Sequence, residues 1–222
     1  MNEDNGLSPR KLIRLTIVGD HRIGKTSILN SLVNINNNNI NITSTTSAEL
    51  FVKLYNINDV IYRVQIWDTM GHLSLLPLNK QYYQNIECLI IVFDVSNRQS
   101  FENVNQWYNR FLDYYKVYSK NNMPLLILLG NIRENKFREI SINEATLFAK
   151  SLNMLYFELS AINITYVNAT FQKITNAIVK HLFEPETPSF MLESCCTSPR
   201  EKLLKNTKTP KSRSCFTQCF FP

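Results

Sequence analysis

Residues 19–27 read GDHRIGKTS, which fits the phosphate-loop pattern G-x-x-x-x-G-K-[ST]. In such a loop, backbone N–H groups crowd around an anion. The β-branched run KLIRLTIV at 11–18 leads into this loop, and Ile28, Leu29 and Leu32 mark a helix after it. A strand, a glycine loop and a helix in this order predict a domain that binds phosphate groups.

The rest of the chain alternates strand and helix patterns. Asn58-Asp59 separates two extended runs and predicts a hairpin turn. Near-continuous apolar runs predict parallel strands that are covered on both faces. The predicted strands are 11–18, 49–57, 60–67, 88–94, 125–130 and 154–159. We therefore predict a doubly wound, mostly parallel six-stranded α/β sheet with one antiparallel hairpin strand, as in P-loop NTPases.

Apolar residues at helical spacing lie between these strands, and we assign them to the core. Ser141 and Glu144 form a capping box that opens one of the helices. The predicted apolar positions are Phe101, Val104, Trp107 (or Tyr108), Phe111, Ala145, Leu147, Phe148, Leu152, Val167, Phe171, Ile174, Ile178 and Leu182. The pattern stops after Phe183, so we predict a flexible N-terminus at 1–9, one domain at 10–184 and a disordered tail at 185–222.

The positive charge is concentrated in the tail. The chain has a net charge of +6, and residues 190–222 contain six basic and two acidic residues, or +4 of that total. The remaining body is nearly neutral, which argues against a nucleic-acid-binding face. A basic tail is instead typical of a segment that binds an acidic membrane surface.

The cysteines also divide between the domain and the tail. Cys88 lies in the apolar run ECLIIVFDV, which predicts a buried thiol, and the other four of the 5 cysteines are in the tail. The opening MNEDNGLSPR has no apolar core, so we expect no signal peptide. A reduced, cytosolic setting is the expectation.

Three further motifs follow predicted strands. Trp67-Asp68-Thr69-Met70-Gly71-His72 ends one strand, Gly130-Asn131-Ile132-Arg133-Glu134 follows another, and Ser160-Ala161-Ile162 follows the last. Ligands bind at the carboxyl ends of strands in such sheets. A carboxylate at 68 can hold Mg²⁺ through water, and a glycine at 71 lets its N–H approach a terminal phosphate.

With these motifs in this order, the chain resembles the Ras-like small GTPases, and the Rab branch most closely. The resemblance runs from about residue 11 to 183 and includes QIWDT, the Tyr82-Tyr83 pair, IIVFDVSNRQSFENV and LLILLGN. It implies a G domain that binds GTP and GDP with Mg²⁺, and two switch loops that order around the terminal phosphate.

The resemblance also implies the roles of individual residues. Thr26, Thr45 and Asp68 would hold Mg²⁺, with Thr46 as an alternative to Thr45, and Lys25, Gly71 and His72 would serve catalysis. The implied nucleotide-binding residues are Gly19, Asp20, His21, Arg22, Ile23, Gly24, Lys25, Thr26, Ser27, Thr45, Asp68, Gly71, Asn131, Ile132, Glu134, Ser160, Ala161 and Ile162.

Several of these positions depart from the family pattern. His21 and Arg22 replace small residues, and His21 would project toward the space that a partner's arginine finger must enter. Arg22 either lends charge to the phosphates or points to solvent. His72 stands where the family usually has the glutamine that orients the attacking water, so we expect low or impaired hydrolysis.

The base-reading motif departs further. The family pattern N-K-x-D is Asn131-Ile132-Arg133-Glu134 in this chain. Glu134 keeps the carboxylate that would bind guanine but is one methylene longer, and Ile132 lacks the amine of the family's lysine. Losing part of a buried hydrogen-bond pair typically costs about 1–3 kcal/mol of binding free energy. Guanine is therefore still expected to be favoured, but less strictly.

The tail carries candidate lipidation sites. Cys219 lies four residues from the end, as C-a-a-X prenylation requires, although a proline at X is atypical. Cys215 is a candidate second site for prenylation or palmitoylation. A lipid together with the basic KNTKTPKSR segment would supply the two signals that stable anchoring needs.

The leading hypothesis is a monomeric Rab-like switch in vesicle traffic, lipid-anchored to the cytoplasmic face of a membrane and cycling with the cytosol. Its partners would be exchange factors, GTPase-activating proteins, a GDP-dissociation inhibitor or escort, and effectors, but not nucleic acid. The alternative is a catalytically degenerate GTP-binding scaffold on membranes. The Rab-like sequence segments across the whole domain argue against a P-loop kinase or ATPase.

Overall fold

The computed structural model describes residues 11–33, 49–69, 82–118, 123–134 and 136–183. The elements in chain order are β1 Lys11–Val18, α1 Lys25–Val33, β2 Glu49–Ile57, β3 Val60–Asp68, β4 Cys88–Asp94, α2 Arg98–Glu102, α3 Val104–Tyr118, β5 Leu125–Asn131, α4 Ile142–Ser151, β6 Leu155–Leu159 and α5 Ile164–Phe183. The predicted ends of the domain, at residues 10 and 184, lie outside these ranges and stay predictions, as does the tail.

The strands form the predicted six-stranded sheet, in the order β2-β3-β1-β4-β5-β6. The β2–β3 pair is antiparallel, and the other four neighbouring pairs are parallel. Asn58 and Asp59 both have positive φ, at 51° and 61°, which is the backbone of a type I′ hairpin turn. The predicted hairpin and fold class are both confirmed.

The chain order places a ligand crevice at the end of β1. After β1 the chain builds β2 and β3 on one side of it, and then crosses to form β4 on the other side. A reversal of this kind leaves a gap between the connections at the carboxyl ends of the strands. The glycine loop that follows Val18 lies at this switch point.

Two apolar clusters cover the two faces of the sheet, and strand β4 contributes alternately to both. Cys88, Ile90 and Val92 belong to the cluster that α1 and α5 cover. Leu89, Ile91 and Phe93 belong to the cluster that includes α3 residues such as Trp107 and Phe111. Burial on both faces explains why β4 is apolar throughout.

Cys88 is fully buried, as predicted. Burial in this apolar cluster raises the pKa of its thiol, because the protein interior disfavours the thiolate. The group is therefore a structural side chain without nucleophilic character.

The helices differ from the sequence prediction in two details and agree with it in a third. The apolar positions from Phe101 to Phe111 belong to two helices, α2 and α3, which meet at Asn103. Leu147 and Leu182 are 57% and 40% exposed. The prediction that they belong to the core is therefore wrong. Ser141 does cap α4 by accepting a bond from the N–H of Glu144, at 3.1 Å.

The other half of the predicted capping box is replaced by an ion pair. In a capping box the Glu144 carboxylate would accept from the backbone N–H of Ser141. In this structure it binds the guanidinium of Arg98 in α2. This contact joins two helices on one face of the sheet.

Candidate nucleotide-binding site

At two positions of the loop at 19–24, the backbone has a conformation that only glycine adopts easily. Gly19 and Gly24 have φ of +139° and +97°. A Cβ at Gly19 would overlap the carbonyl oxygen of Val92, and one at Gly24 would overlap the Asn131 amide nitrogen. The two glycines therefore allow the loop to pass close to β4 and to β5.

Lys25 begins helix α1 and turns back over the loop. Its Nζ donates to the carbonyl oxygens of Gly19 and Asp20, at 2.9 and 2.8 Å. The side chain is only 6% exposed, and this burial lowers its pKa to about 8, although Asp68 and Asp20 favour the charged form. The loop thus holds a largely desolvated cation at its centre.

Thr26 and Asp68 lie together beside this cation. The Thr26 hydroxyl donates to Asp68 Oδ2 at 2.5 Å, and Asp68 is fully buried at the end of β3. Thr69 follows and donates its hydroxyl to the carbonyl oxygen of Ile17, at 2.8 Å, which fixes the chain as it leaves β3. A hydroxyl and a carboxylate are oxygen ligands of the kind that Mg²⁺ prefers.

The described ranges contain no group of three or more His, Cys, Asp or Glu side chains that could enclose a metal ion by themselves. Mg²⁺ usually keeps several waters and takes only one or two carboxylates together with substrate phosphates. The Thr26–Asp68 pair fits that mode of binding and does not fit an all-protein cage.

Asp20 is held from helix α3. Its carboxylate accepts bonds from Asn103 Nδ2 at 2.7 Å and from the Trp107 indole Nε1 at 2.8 Å. The neighbouring His21 is half-buried, and Arg22 is exposed with a φ of 59°, in the left-handed region. The loop therefore accommodates two large side chains without losing its attachment to the fold.

The base-reading motif lies next to the phosphate loop. Asn131 is 3% exposed and donates its amide Nδ2 to the carbonyl oxygen of Ile23, at 2.7 Å. Ile132 packs against the α3-side cluster, and Glu134 is exposed. The backbone N–H of Ile132 donates to the carbonyl oxygen of Leu159 at 2.8 Å, which joins this motif to the end of β6.

The loop at 160–162 is tied to helix α1. The Ser31 hydroxyl donates to the carbonyl oxygen of Ala161 at 2.5 Å, while Ile162 is 70% exposed. Within the described part of the chain, the buried Ser160 Oγ and Asn131 Oδ1 have no hydrogen-bond partner. Buried polar atoms normally have partners, so both atoms fit contacts to a polar ligand such as a base.

The structure thus places the described residues of the predicted site in the segments that follow the carboxyl ends of β1, β3, β5 and β6, or at those ends themselves. Five further predicted residues and the alternative Thr46 lie outside the described residues. The five are Thr45, Gly71, His72, Cys215 and Cys219. Their assigned roles stay predictions.

Sequence reasoning missed an ion pair beside the site. Asp94 ends β4, is 2% exposed, and its Oδ2 lies 2.8 Å from Nε of Arg133. The signal was available, because a carboxylate at the end of an otherwise apolar parallel strand requires a cationic or hydrogen-bonding partner.

No helix in the described part of the chain combines the length and the apolar character that a membrane span requires.

Comparison with known proteins agrees with this geometry. The model of the Ras family matches residues 14–180. The Ras-related protein RABG3d of Arabidopsis thaliana is 34% identical over 186 residues, which cover 82% of this chain and 88% of that protein. The Ras-related protein Rab7 of Cenchrus ciliaris is 34% identical over 181 residues, covering 80% and 86%. Rab7A of Mesembryanthemum crystallinum is 32% identical over 186 residues, covering 82% and 88%.

Proposed function

The chain belongs to the Ras family of small GTPases, on its Rab branch, and from that premise we propose that it is a GTP/GDP-dependent switch in vesicle traffic. It binds guanine nucleotide with Mg²⁺ and hydrolyses GTP slowly. The observation that carries the proposal is the Lys25 ammonium, held inside the glycine loop next to the Thr26–Asp68 pair.

The phosphate end supplies three kinds of contact for a polyphosphate. Backbone N–H groups of the loop and of the first turn of α1 are donors, and the positive end of the helix favours an anion. Lys25 adds a formal charge, which is worth more in a buried site than in water. Its bonds to two loop carbonyls hold the ammonium ready before nucleotide arrives.

Thr26 and Asp68 are the described residues that would hold Mg²⁺, and Thr45 would join them in the GTP state. When bound, the ion neutralises charge on the β- and γ-phosphate oxygens. The hydrogen bond between Thr26 and Asp68 keeps both oxygens on the same side of the loop.

The base end supplies side-chain contacts. Glu134 accepts from the guanine N1 and N2 groups, as the corresponding aspartate does in the family, and Ser160 and Ala161 contact the base oxygen. The buried Asn131 Oδ1 and Ser160 Oγ support this assignment because each has hydrogen-bonding capacity that the described chain does not use.

Hydrolysis proceeds by in-line attack of water on the γ-phosphate, with His72 positioning the water and Gly71 approaching the phosphate. The intrinsic rate is slow because imidazole replaces the usual amide. The rate assisted by a GTPase-activating protein is impaired because the half-buried His21 hinders entry of an arginine finger. The protein works on the cytoplasmic face of a membrane, anchored through Cys219 and Cys215 and the basic tail. Exchange factors, GTPase-activating proteins, a GDP-dissociation inhibitor and effectors are its partners.

Direct analysis of nucleotide in the purified full-length protein tests the proposal. We expect GDP or GTP in the denatured extract, and uptake of labelled GTP in Mg²⁺ buffer. Single-turnover assays should then show slow release of phosphate. Absence of guanine nucleotide together with absence of GTP uptake would overturn the proposal.

GTP that binds but is never cleaved would favour the scaffold alternative over a cycling switch. Mass spectrometry of the native C-terminal peptide tests the anchor separately. We expect a lipid adduct on Cys219, and an unmodified peptide would remove the lipid anchor from the proposal.

A further inference from the structure

We propose that Arg133 is a positioning residue for nucleotide binding, which clamps the base-reading motif at 130–134 to the phosphate loop at 19–24. The inference rests on the proposed guanine-nucleotide binding and adds a residue that the family pattern N-K-x-D leaves unspecified. In this chain the cationic side chain that contacts the phosphate loop is at position 133, one residue after the position of the family's lysine.

The first part of the clamp is a fixed anchor. Nε of Arg133 lies 2.8 Å from Oδ2 of the buried Asp94. The other carboxylate oxygen, Oδ1, accepts bonds from the Ser96 N–H at 2.9 Å and the Ser96 hydroxyl at 2.5 Å. Asp94 is therefore held in one orientation, and it holds the guanidinium in turn.

The second part reaches the phosphate loop. Nη2 of Arg133 donates to the carbonyl oxygen of Arg22, while the Asn131 amide donates to the next carbonyl, that of Ile23. Two residues of one motif thus bind two consecutive carbonyls of the other. The left-handed backbone of Arg22 allows its carbonyl to take part in this arrangement.

These two bonds also set the direction of two N–H groups. In a trans peptide the C=O and the N–H of the same unit point in opposite directions. Binding the Arg22 carbonyl therefore fixes the N–H of Ile23, and binding the Ile23 carbonyl fixes the N–H of Gly24. Donation to a carbonyl also polarises its peptide unit and makes the opposite N–H a stronger donor to an anion.

The side chain at 133 suits this task, and the one at 132 does not. Ile132 packs against an apolar cluster and carries no donor. Arginine has a planar fork of donors that can serve two acceptors in different directions, whereas lysine is a single point charge. Lysine at 133 would keep the charge near Asp94 but would not bind both acceptors in the same way.

A nearby arginine provides a matched control. Arg138 pairs with Glu158 at 2.6 Å and donates to the carbonyl oxygen of Ile140 at 2.9 Å. Both arginines lie in the segment between β5 and α4. Each binds one carboxylate and one backbone carbonyl oxygen. Its partners, however, are not in the phosphate loop, so it separates a local structural role from nucleotide positioning.

The test compares Arg133→Lys and Arg138→Lys in the full chain with fluorescent GDP and fluorescent GTP. We expect Arg133→Lys to release both nucleotides about tenfold faster, because it loses one charge-assisted bond. Arg138→Lys should release both nucleotides at the wild-type rate, even if its melting temperature falls by as much as that of Arg133→Lys.

A second measurement reports on the loop itself. Amide hydrogen exchange in the segment 21–25 should speed up in Arg133→Lys and remain unchanged in Arg138→Lys. Release within twofold of wild type, or equal acceleration in both variants, would overturn the inference while leaving the proposed function intact. Failure of the wild-type chain to take up guanine nucleotide would overturn both.

Discussion

The phosphate end and the base end of the site obtain their geometry in different ways. At the phosphate end, two glycine backbones, one helix start and one buried lysine determine the arrangement. At the base end, the arrangement depends mainly on side chains. The atoms that would contact the base belong to Asn131, Glu134 and Ser160. Apart from Lys25 and the two glycines, a site of the first kind tolerates side-chain substitution better than a site of the second kind.

The substitutions at 21 and 22 illustrate this tolerance. The loop keeps its turns and its bonds to Lys25 although it contains a histidine and an arginine. Anion binding by backbone N–H groups depends on the path of the chain, and that path is set by Gly19 and Gly24. At the base end, by contrast, exchange of a single side chain removes or moves a contact.

The largest effect should come from Lys25→Met, which removes the buried ammonium that is proposed to bind the phosphates. We expect affinity for GDP to fall about 100-fold, the upper range for one charge-assisted contact. Titration calorimetry on the nucleotide-free protein measures this change, with the exposed Lys150→Met as a control. A fall below threefold would mean that the backbone alone holds the phosphates.

Glu134→Asp should have a smaller effect, in the direction of gain. The shorter carboxylate restores the family's distance to guanine, so we expect GDP affinity to rise about tenfold. Affinity for IDP, which lacks the 2-amino group, should rise less. Competition against fluorescent GDP measures both. Equal gains for GDP and IDP would show that Glu134 does not read the 2-amino group.

Features of the fold that depend on local sequence patterns could be predicted from the sequence. The sheet, the hairpin and the capped start of α4 followed from local patterns, because alternation, turn residues and Ser141 act over a few positions. The phosphate loop was predictable for the same reason, since its glycines and Lys25 lie within seven residues in the sequence.

What could not be predicted depends on contacts between distant segments. Glu144 binds Arg98, 46 residues away, and Leu147 is exposed although its spacing fits the apolar stripe. Arg133 contacts Arg22 across 111 residues, and nothing in the local pattern at 130–134 indicates that contact. Periodicity describes one face of a helix but not which partner that face meets.

The smallest expected effect is a pH dependence that belongs to the phosphate end alone. Burial lowers the pKa of Lys25 from 10.5 to about 8, against the influence of Asp68 and Asp20. Bound polyphosphate favours the ammonium, so affinity should follow its protonated fraction in the free protein. That fraction falls about fourfold between roughly pH 7.0 and pH 8.5, and affinity for GDP should fall equally.

Two measurements separate this effect from a general effect of pH. Lys25→Met should show a flat profile over the same range, whereas Glu134→Asp should keep the wild-type slope. The stability of the nucleotide-free protein should change in the opposite direction. Because the folded pKa is below the unfolded value, the free energy of unfolding gains a contribution as pH rises from about 8 to 10.5. An affinity that is constant up to about pH 8.5 would mean that the buried ammonium keeps its proton, and that solvent or the loop carbonyls compensate for its burial.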